Sequence, residues 1–266
     1  MNSFANVRAL LVDLEGTVFT EGAPLPGAVE ALTRVLARGI PVRFITNTTS
    51  RPRSVLASEL SACGLPVDPA WICNAPSAAR ALLLSRGLTR CDLMVADAIR
   101  EDLDGIVGIE ADDVAPQAVV VGDLGEGFTY ERMNRAFTHL HAGAALIALA
   151  RNRVYQRAGR LVLDLGPFVA ALEYATGRQA IVAGKPAREF FLAALASTGV
   201  APQDAVMIGD DLEGDVGAAQ AAGMRGVLVR TGKFRAADLE RGDITPDAVL
   251  PSLAEVDRLF DQQGVP

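Results

Sequence analysis

Residues 7–17, VRALLVDLEGT, set the architecture of the chain. Val7–Val12 is a short, mainly apolar run, the pattern of a strand buried on both faces. Asp13 closes it, and Glu15, Gly16 and Thr17 follow at once. A carboxylate at the end of a buried strand is costly to desolvate unless a charge or hydrogen bonds compensate it. Two readings stay open at this point. The segment is an acidic turn that caps a helix, or it places a carboxylate for chemistry.

Outward from this stretch, strands and helices alternate. Pro26-Gly27 opens a helix whose apolar stripe is Val29, Leu32, Val35 and Leu36, and Gly39 ends it. Val42–Ile45 is a second strand, and Ser54–Cys63 a second helix closed by Gly64. The rhythm returns late in the chain. Ala180–Ala183 reads as a strand, Ala187–Thr198 as a helix and Ala205–Ile208 as a strand. Val216–Ala222 reads as helix, Gly226–Val229 as strand and Leu253–Phe260 as a closing helix. Between the halves, strands are expected near Leu93–Ala96, Ala118–Val121 and Ala145–Leu149, with helices near Glu131–Leu140 and Phe168–Ala175. The expected fold is therefore α/β. A Rossmann-like parallel-sheet core, residues 1–76 plus 178–266, carries an inserted α/β domain over residues 77–177.

Composition narrows the function. The 266 residues include 25 Lys and Arg against 32 Asp and Glu, a net charge of −7 with no basic block. That weighs against nucleic acid and anionic membrane as partners. A small anionic substrate remains open, because a bound divalent cation reverses the local field. Cys63, Cys73 and Cys91 form no CxxC pair and predict free thiols in a reducing cytosol. His139 and His141 do not share a helix face, so they are read as surface or cap-helix positions. The apolar run Ala142–Ala150 is too short to span a bilayer, and Met1–Arg8 has no signal pattern. A cytoplasmic protein is the expectation.

In open parallel sheets, ligands bind outside the carboxyl ends of the strands. Four such ends carry polar chemistry. Asp13 and Glu15 end the first strand. Thr46-Asn47-Thr48-Thr49-Ser50 supplies hydroxyls and N–H groups that suit a phosphate, or simply cap a helix. Gly184-Lys185-Pro186 offers a point charge for a phosphate oxygen, but alone it reads as a surface lysine. Asp210, Asp211, Glu213 and Asp215 crowd four carboxylates into six residues. Their repulsion would be relieved by a hard cation such as magnesium; the plainer reading is an acidic helix start. A further loop, Gly122-Asp123-Leu124-Gly125-Glu126-Gly127, has the order GxxGxG rather than the dinucleotide order GxGxxG. It is read as a loop or a domain-interface segment.

These four motifs, with the flanks VRFITNTTS (42–50), GPFVAALEYATG (166–177) and AVMIGDDLEGDVGAAQAAGMRGVLVRTGKF (205–234), resemble the haloacid dehalogenase superfamily of phosphohydrolases. The resemblance covers nearly the whole chain, and the inserted block is similar to the α/β cap of the NagD-type branch. It implies hydrolysis of a small phosphorylated substrate through an aspartyl-phosphate on Asp13. It implies magnesium held by the Asp13 carboxylate, the Glu15 backbone carbonyl and the Asp210 carboxylate. Asp211 and Asp215 would hold waters or orient Lys185, while Thr46, Asn47 and Lys185 would hold the transferring group. A cap that opens and closes would admit the substrate and exclude water. Arg151, Asn152 and Arg153 would face the leaving group or form a solvated basic turn. A homodimer associating through the cap is compatible with the resemblance. The chain departs from the family at one position: where an acid/base aspartate usually stands two places after the nucleophile, it has Glu15. The longer side chain suggests a bias toward activated phosphates such as phosphoramidates and pyrophosphate. It also leaves room for a slow phospho-ligand- or partner-binding protein. A phosphotransferase such as a mutase shares the same intermediate.

Overall fold

The computed structural model describes residues 4, 6–20, 22–109, 115–157 and 160–260. Two compact units emerge. One comprises Met1–Thr46, Arg53–Cys73 and Lys185–Pro266, the other Asn47–Pro52 and Asn74–Gly184.

The chain opens with β1 (Ala9–Asp13), the short hairpin β2 (Phe19–Thr20) and β3 (Ala23–Pro24), and α1 (Ala28–Ala37). Next come β4 (Val42–Thr46), α2 (Arg53–Ala62) and β5 (Ile72–Asn74). Then follow α3 (Ala75–Ser85), β6 (Arg90–Met94), β7 (Val107–Gly108), β8 (Ala118–Val121), α4 (Tyr130–His141) and β9 (Ala145–Ala148). A hairpin of β10 (Val154–Arg157) and β11 (Arg160–Leu163) leads to α5 (Gly166–Thr176) and β12 (Ile181–Val182). The chain finishes with α6 (Arg188–Ala196), β13 (Ala205–Gly209), α7 (Ala218–Ala221), β14 (Arg225–Val229), α8 (Ala236–Glu240) and β15 (Ala248–Leu250).

The first unit is built on a six-stranded sheet in the order β15-β14-β13-β1-β4-β5. Every residue of β1 and of β13 is buried. Strands covered on both faces are what near-continuous apolar runs encode. β1 lies parallel between β13 and β4, with Val12 opposite Ile208 and Asp13 opposite Ile45. Asp13, Thr46 and the residues after Gly209 therefore arrive at adjacent strand ends. Helix α1 buries Ala28, Ala31, Leu32 and Val35 in this core, while Val29 and Leu36 are half-buried against it.

The second unit has its own five-stranded sheet, β12-β9-β8-β6-β7. Its core includes fully buried Val119, Val120 and Ile147. The strand at 180–183, expected to belong with the core, pairs instead with β9, placing Ile181 opposite Ile147. A short apolar run states that a strand forms but not which sheet accepts it; the position of β9 decides. Residues 178–184 thus lie in the second unit, as do residues 47–52 and 74–76.

The closing helix expected over Leu253–Phe260 consists of 3-10 turns over Leu253–Leu259, with a break at Glu255. The buried residues Leu253, Val256 and Leu259 recur every third position, the spacing that a three-residue turn aligns. No helix among the described residues is long and apolar enough to cross a membrane, and Cys63, Cys73 and Cys91 form no disulfide among the described residues.

Ile208 is fully buried on β13, two residues before Asp210. Shortening it to alanine should cost about 2–5 kcal/mol, and to valine about 0.5–1.5 kcal/mol. Urea unfolding followed by tryptophan fluorescence at Trp71, in the same unit, would measure both.

Candidate active site

Asp13 is buried at the last position of β1, and the Lys185 ammonium meets it there. Lys185 Nζ donates to Asp13 Oδ1 at 2.5 Å and to Asp215 Oδ1 at 2.6 Å. Lys185 comes from the segment after β12 rather than from a strand of the first sheet, yet it belongs to the first unit.

The segment after β13 is shaped to aim its carboxylates. Asp211 Oδ1 accepts the Gly214 N–H at 2.8 Å and caps a π-helical turn over Leu212–Gly217. The Asp211 carbonyl accepts from the N–H groups of Asp215 and Val216. This wide turn, a form common at functional sites, points Asp215 back toward the strand end. Asp215 Oδ2 accepts the Asp211 N–H at 3.2 Å while Oδ1 faces Lys185. A Cβ at Gly209 would collide with the Asp215 carboxylate, so glycine is required there.

Asp210 is buried between two glycines. A Cβ on Gly16 or on Gly232 would collide with Asp210 Oδ2. Both glycines also have positive φ, +86° and +53°, a region other residues enter only with strain. Thr231 Oγ1 ties the two loops together by donating to the Gly16 carbonyl at 2.5 Å. Asp210 Oδ2 accepts the Lys233 N–H at 2.7 Å, but the buried Oδ1 has no hydrogen-bond partner among the described residues. Ligand oxygens of Asp13, Asp210 and Asp215 all lie within 4.8 Å of one another.

The electrostatics follow from burial. Burial pushes the Asp210 carboxyl up to about 6, against the Lys233 N–H that favours its anion. Burial does the same to Asp215, also up to about 6, opposed by Lys185. The Asp13 carboxyl is likewise raised by burial, and Lys185 opposes that rise. Burial alone would lower the Lys185 pKa, but the charges of Asp13 and Asp215 outweigh it and hold the ammonium protonated. Asp211 runs the other way: its burial is outweighed by the Gly214 N–H and the Lys233 charge, and its pKa falls. An unsatisfied carboxylate oxygen among other carboxylates fits a divalent cation of the magnesium type.

Thr46 is buried at the end of β4, beside β1. Glu15 is exposed, immediately before Gly16. Asn47 follows Thr46 directly but belongs to the second unit, where a Cβ at Gly184 would lie 2.6 Å from its Oδ1. Arg151 pairs with Glu173 Oε2 at 2.5 Å within the second unit. Thr231, Gly232 and Lys233 carry no expected role from sequence. They follow the end of β14, so the strand-end rule applied there finds them.

The chain also matches known families. A haloacid dehalogenase-like hydrolase family model matches residues 10–109, and a HAD-hydrolase-like model matches residues 182–256. The Bos taurus haloacid dehalogenase-like hydrolase domain-containing protein 2 is 46% identical over 240 residues, 90% of each chain. This chain belongs to the haloacid dehalogenase-like hydrolases. The Bos taurus phospholysine phosphohistidine inorganic pyrophosphate phosphatase is 40% identical, over 98% of this chain and 96% of its own. Among solved structures, the 4-nitrophenylphosphatase from Thermotoga maritima superposes with a TM-score of 0.88 at 26% identity, over 98% of this chain and 100% of that one. NagD from E. coli K-12 gives 0.86 at 25% identity, covering 94% of this chain and 98% of its own. The Mycobacterium tuberculosis glycerol phosphate phosphatase, solved in complex with magnesium, gives 0.85 at 28% identity, covering 98% and 78%. The chain is thus a phosphohydrolase of the NagD-type branch.

Without a cation, the folded state holds protons on Asp210 and Asp215 up to about pH 6, whereas an ordinary aspartate carboxyl loses them near 3.8. Stability should therefore fall as pH rises from about 4 through 6, and Asp210→Asn should raise the neutral-pH melting temperature by about 2–4 °C. Thermal scans in chelator, then in magnesium, test this: wild type gains stability from the cation and the variant does not. Gly16→Ala should cost about 1–3 kcal/mol from backbone strain alone, read as a lower melting temperature.

Proposed function

We propose that this chain is a magnesium-dependent phosphatase that hydrolyses a small phosphorylated substrate through an aspartyl-phosphate on Asp13. The observation that carries the reading is a buried strand-end carboxylate held at 2.5 Å by a buried lysine, beside an Asp210 oxygen that lacks a partner among the described residues. Asp13, Asp210 and the Glu15 backbone carbonyl would hold the cation. When bound, it would supply positive charge that draws the phosphate toward Asp13 and screens the two anions from each other.

The protein's own groups do the rest. An Asp13 carboxylate oxygen attacks phosphorus as the bond to the leaving group breaks, and the leaving atom takes a proton from the Glu15 carboxyl. Water then attacks the aspartyl-phosphate and gives its proton to Glu15; inorganic phosphate leaves and Asp13 is restored. Lys185 favours the anion of Asp13 against the effect of burial and stabilises charge on the transferring group, with the Thr46 hydroxyl as a further donor. Asp215 anchors Lys185, and Asp211 holds the turn that carries Asp215.

Glu15 sets the substrate bias. Proton transfer by a well-placed acid contributes roughly 10²–10⁴-fold. One extra methylene moves the carboxyl away from the place an aspartate would hold it, so leaving groups that need little protonation gain. Acyl phosphates, phosphoramidates and pyrophosphate are such substrates. The relative named as a pyrophosphate phosphatase supports this reading.

Asp13→Asn should reduce magnesium-dependent phosphate release by at least about 10³-fold; a variant with full activity would overturn the mechanism. Glu15→Asp should raise kcat/KM for alkyl phosphates more than for aryl phosphates. Equal turnover ratios in the two proteins would remove the assigned bias.

A further inference from the structure

The second unit contains a cavity of about 390 Å³ that the phosphatase chemistry does not use. It lies in a crevice that the topology creates. From β6 the chain moves to β7 on one side, then crosses to β8 on the other side of β6, and continues outward to β9 and β12. Where strand order reverses, an open α/β sheet leaves a crevice at the strands' carboxyl ends. Val95 and Asp97 after β6, Ile109 after β7, and Leu124 and Gly127 after β8 line this cavity.

Three arginines also line it: Arg100, Arg132 and Arg135. Arg135 donates to the buried Asp92 from Nε at 3.3 Å and Nη2 at 3.0 Å, which balances the one buried carboxylate in the wall. His139 Nδ1 lies 3.0 Å from the same carboxylate. Arg100 meets Asp97, whose side chain is 94% exposed, at 3.1 Å; a pair so open to water contributes little. The Arg132 guanidinium makes no hydrogen bond or ion pair among the described residues.

The loop after β8 leaves that guanidinium open to the crevice. A Cβ at Gly127 would lie 3.4 Å from Arg132 Nη1, an ordinary contact distance, so Gly127 and this guanidinium border the same crevice. Gly127 ends the segment Gly122–Gly127, whose glycine-rich order fits no dinucleotide pattern. Asp123 Oδ1 accepts the Gly125 N–H at 2.9 Å and sets the turn that brings Leu124 and Gly127 to the cavity.

We propose that this crevice binds a small phosphate-bearing ligand, with Arg132 and Arg135 as the anion-binding groups. Planar guanidiniums match phosphate oxygens in geometry and charge. The volume suits a small metabolite. The site is distinct from the Asp13 cluster in composition: every lining residue belongs to the second unit.

Inorganic phosphate is the probe. It is titrated into the full-length protein in chelator while the arginine Nε–H resonances are followed by NMR, with chloride at matched ionic strength as the control. Saturable shifts of the Arg132 and Arg135 signals with phosphate, absent with chloride, are expected. Arg132→Gln, at an exposed position, should weaken the binding read at Arg135 by about tenfold. Shifts that chloride reproduces, or that never saturate, would overturn the proposal. So would an affinity at Arg135 that Arg132→Gln leaves unchanged, since the two guanidiniums would then not share a ligand.

Discussion

The buried ammonium of Lys185 between Asp13 and Asp215 is the contact on which the first unit's chemistry rests. Two carboxylates so deep in a fold repel each other and resist ionising. One ammonium between them, at 2.5 and 2.6 Å, favours the charged form of both. Removing one partner of such a buried group leaves a charge uncompensated and is strongly destabilising. The constraint spreads outward. Asp215 reaches Lys185 only because the wide turn after β13 directs it there, and that turn depends on the Asp211 cap and on bare glycine at 209.

The same logic leaves a place for a cation. Lys185 serves Asp13 and Asp215, whereas Asp210 is packed between Gly16 and Gly232 with one buried oxygen unsatisfied among the described residues. Fixed anionic oxygens without enough fixed positive charge form a site of high potential for a hard cation. The chain carries this excess of carboxylate at a definite point rather than spread over its surface.

Both units are parallel α/β sheets, and their polar residues are used differently. In the first, buried charges meet at adjacent strand ends. In the second, Asp92 is paired inside the wall with Arg135, and His139, a position of helix α4, is buried beside it. Arg151, a candidate for the leaving group, forms an ion pair with Glu173. These partners stand 22 to 47 positions apart in the chain, a distance over which local pattern carries no information.

Much of the architecture is legible in the sequence. Apolar runs ending in Asp13, Thr46 and Gly209 announce buried strands, and the strand-end rule points to their polar neighbours, because period and burial are local properties of a segment. The resemblance to haloacid dehalogenase hydrolases rests on the same segments. Tertiary structure alone decided the rest. It assigned the 180–183 strand to the second sheet, since pairing depends on which strand is already in place. It made Gly16 and Gly232, on two separate loops, a cradle for Asp210, since a close approach is visible only once the chain has folded. It gathered Arg100, Arg132 and Arg135 around one crevice, because a reversal of strand order is a property of the sheet rather than of any segment within it.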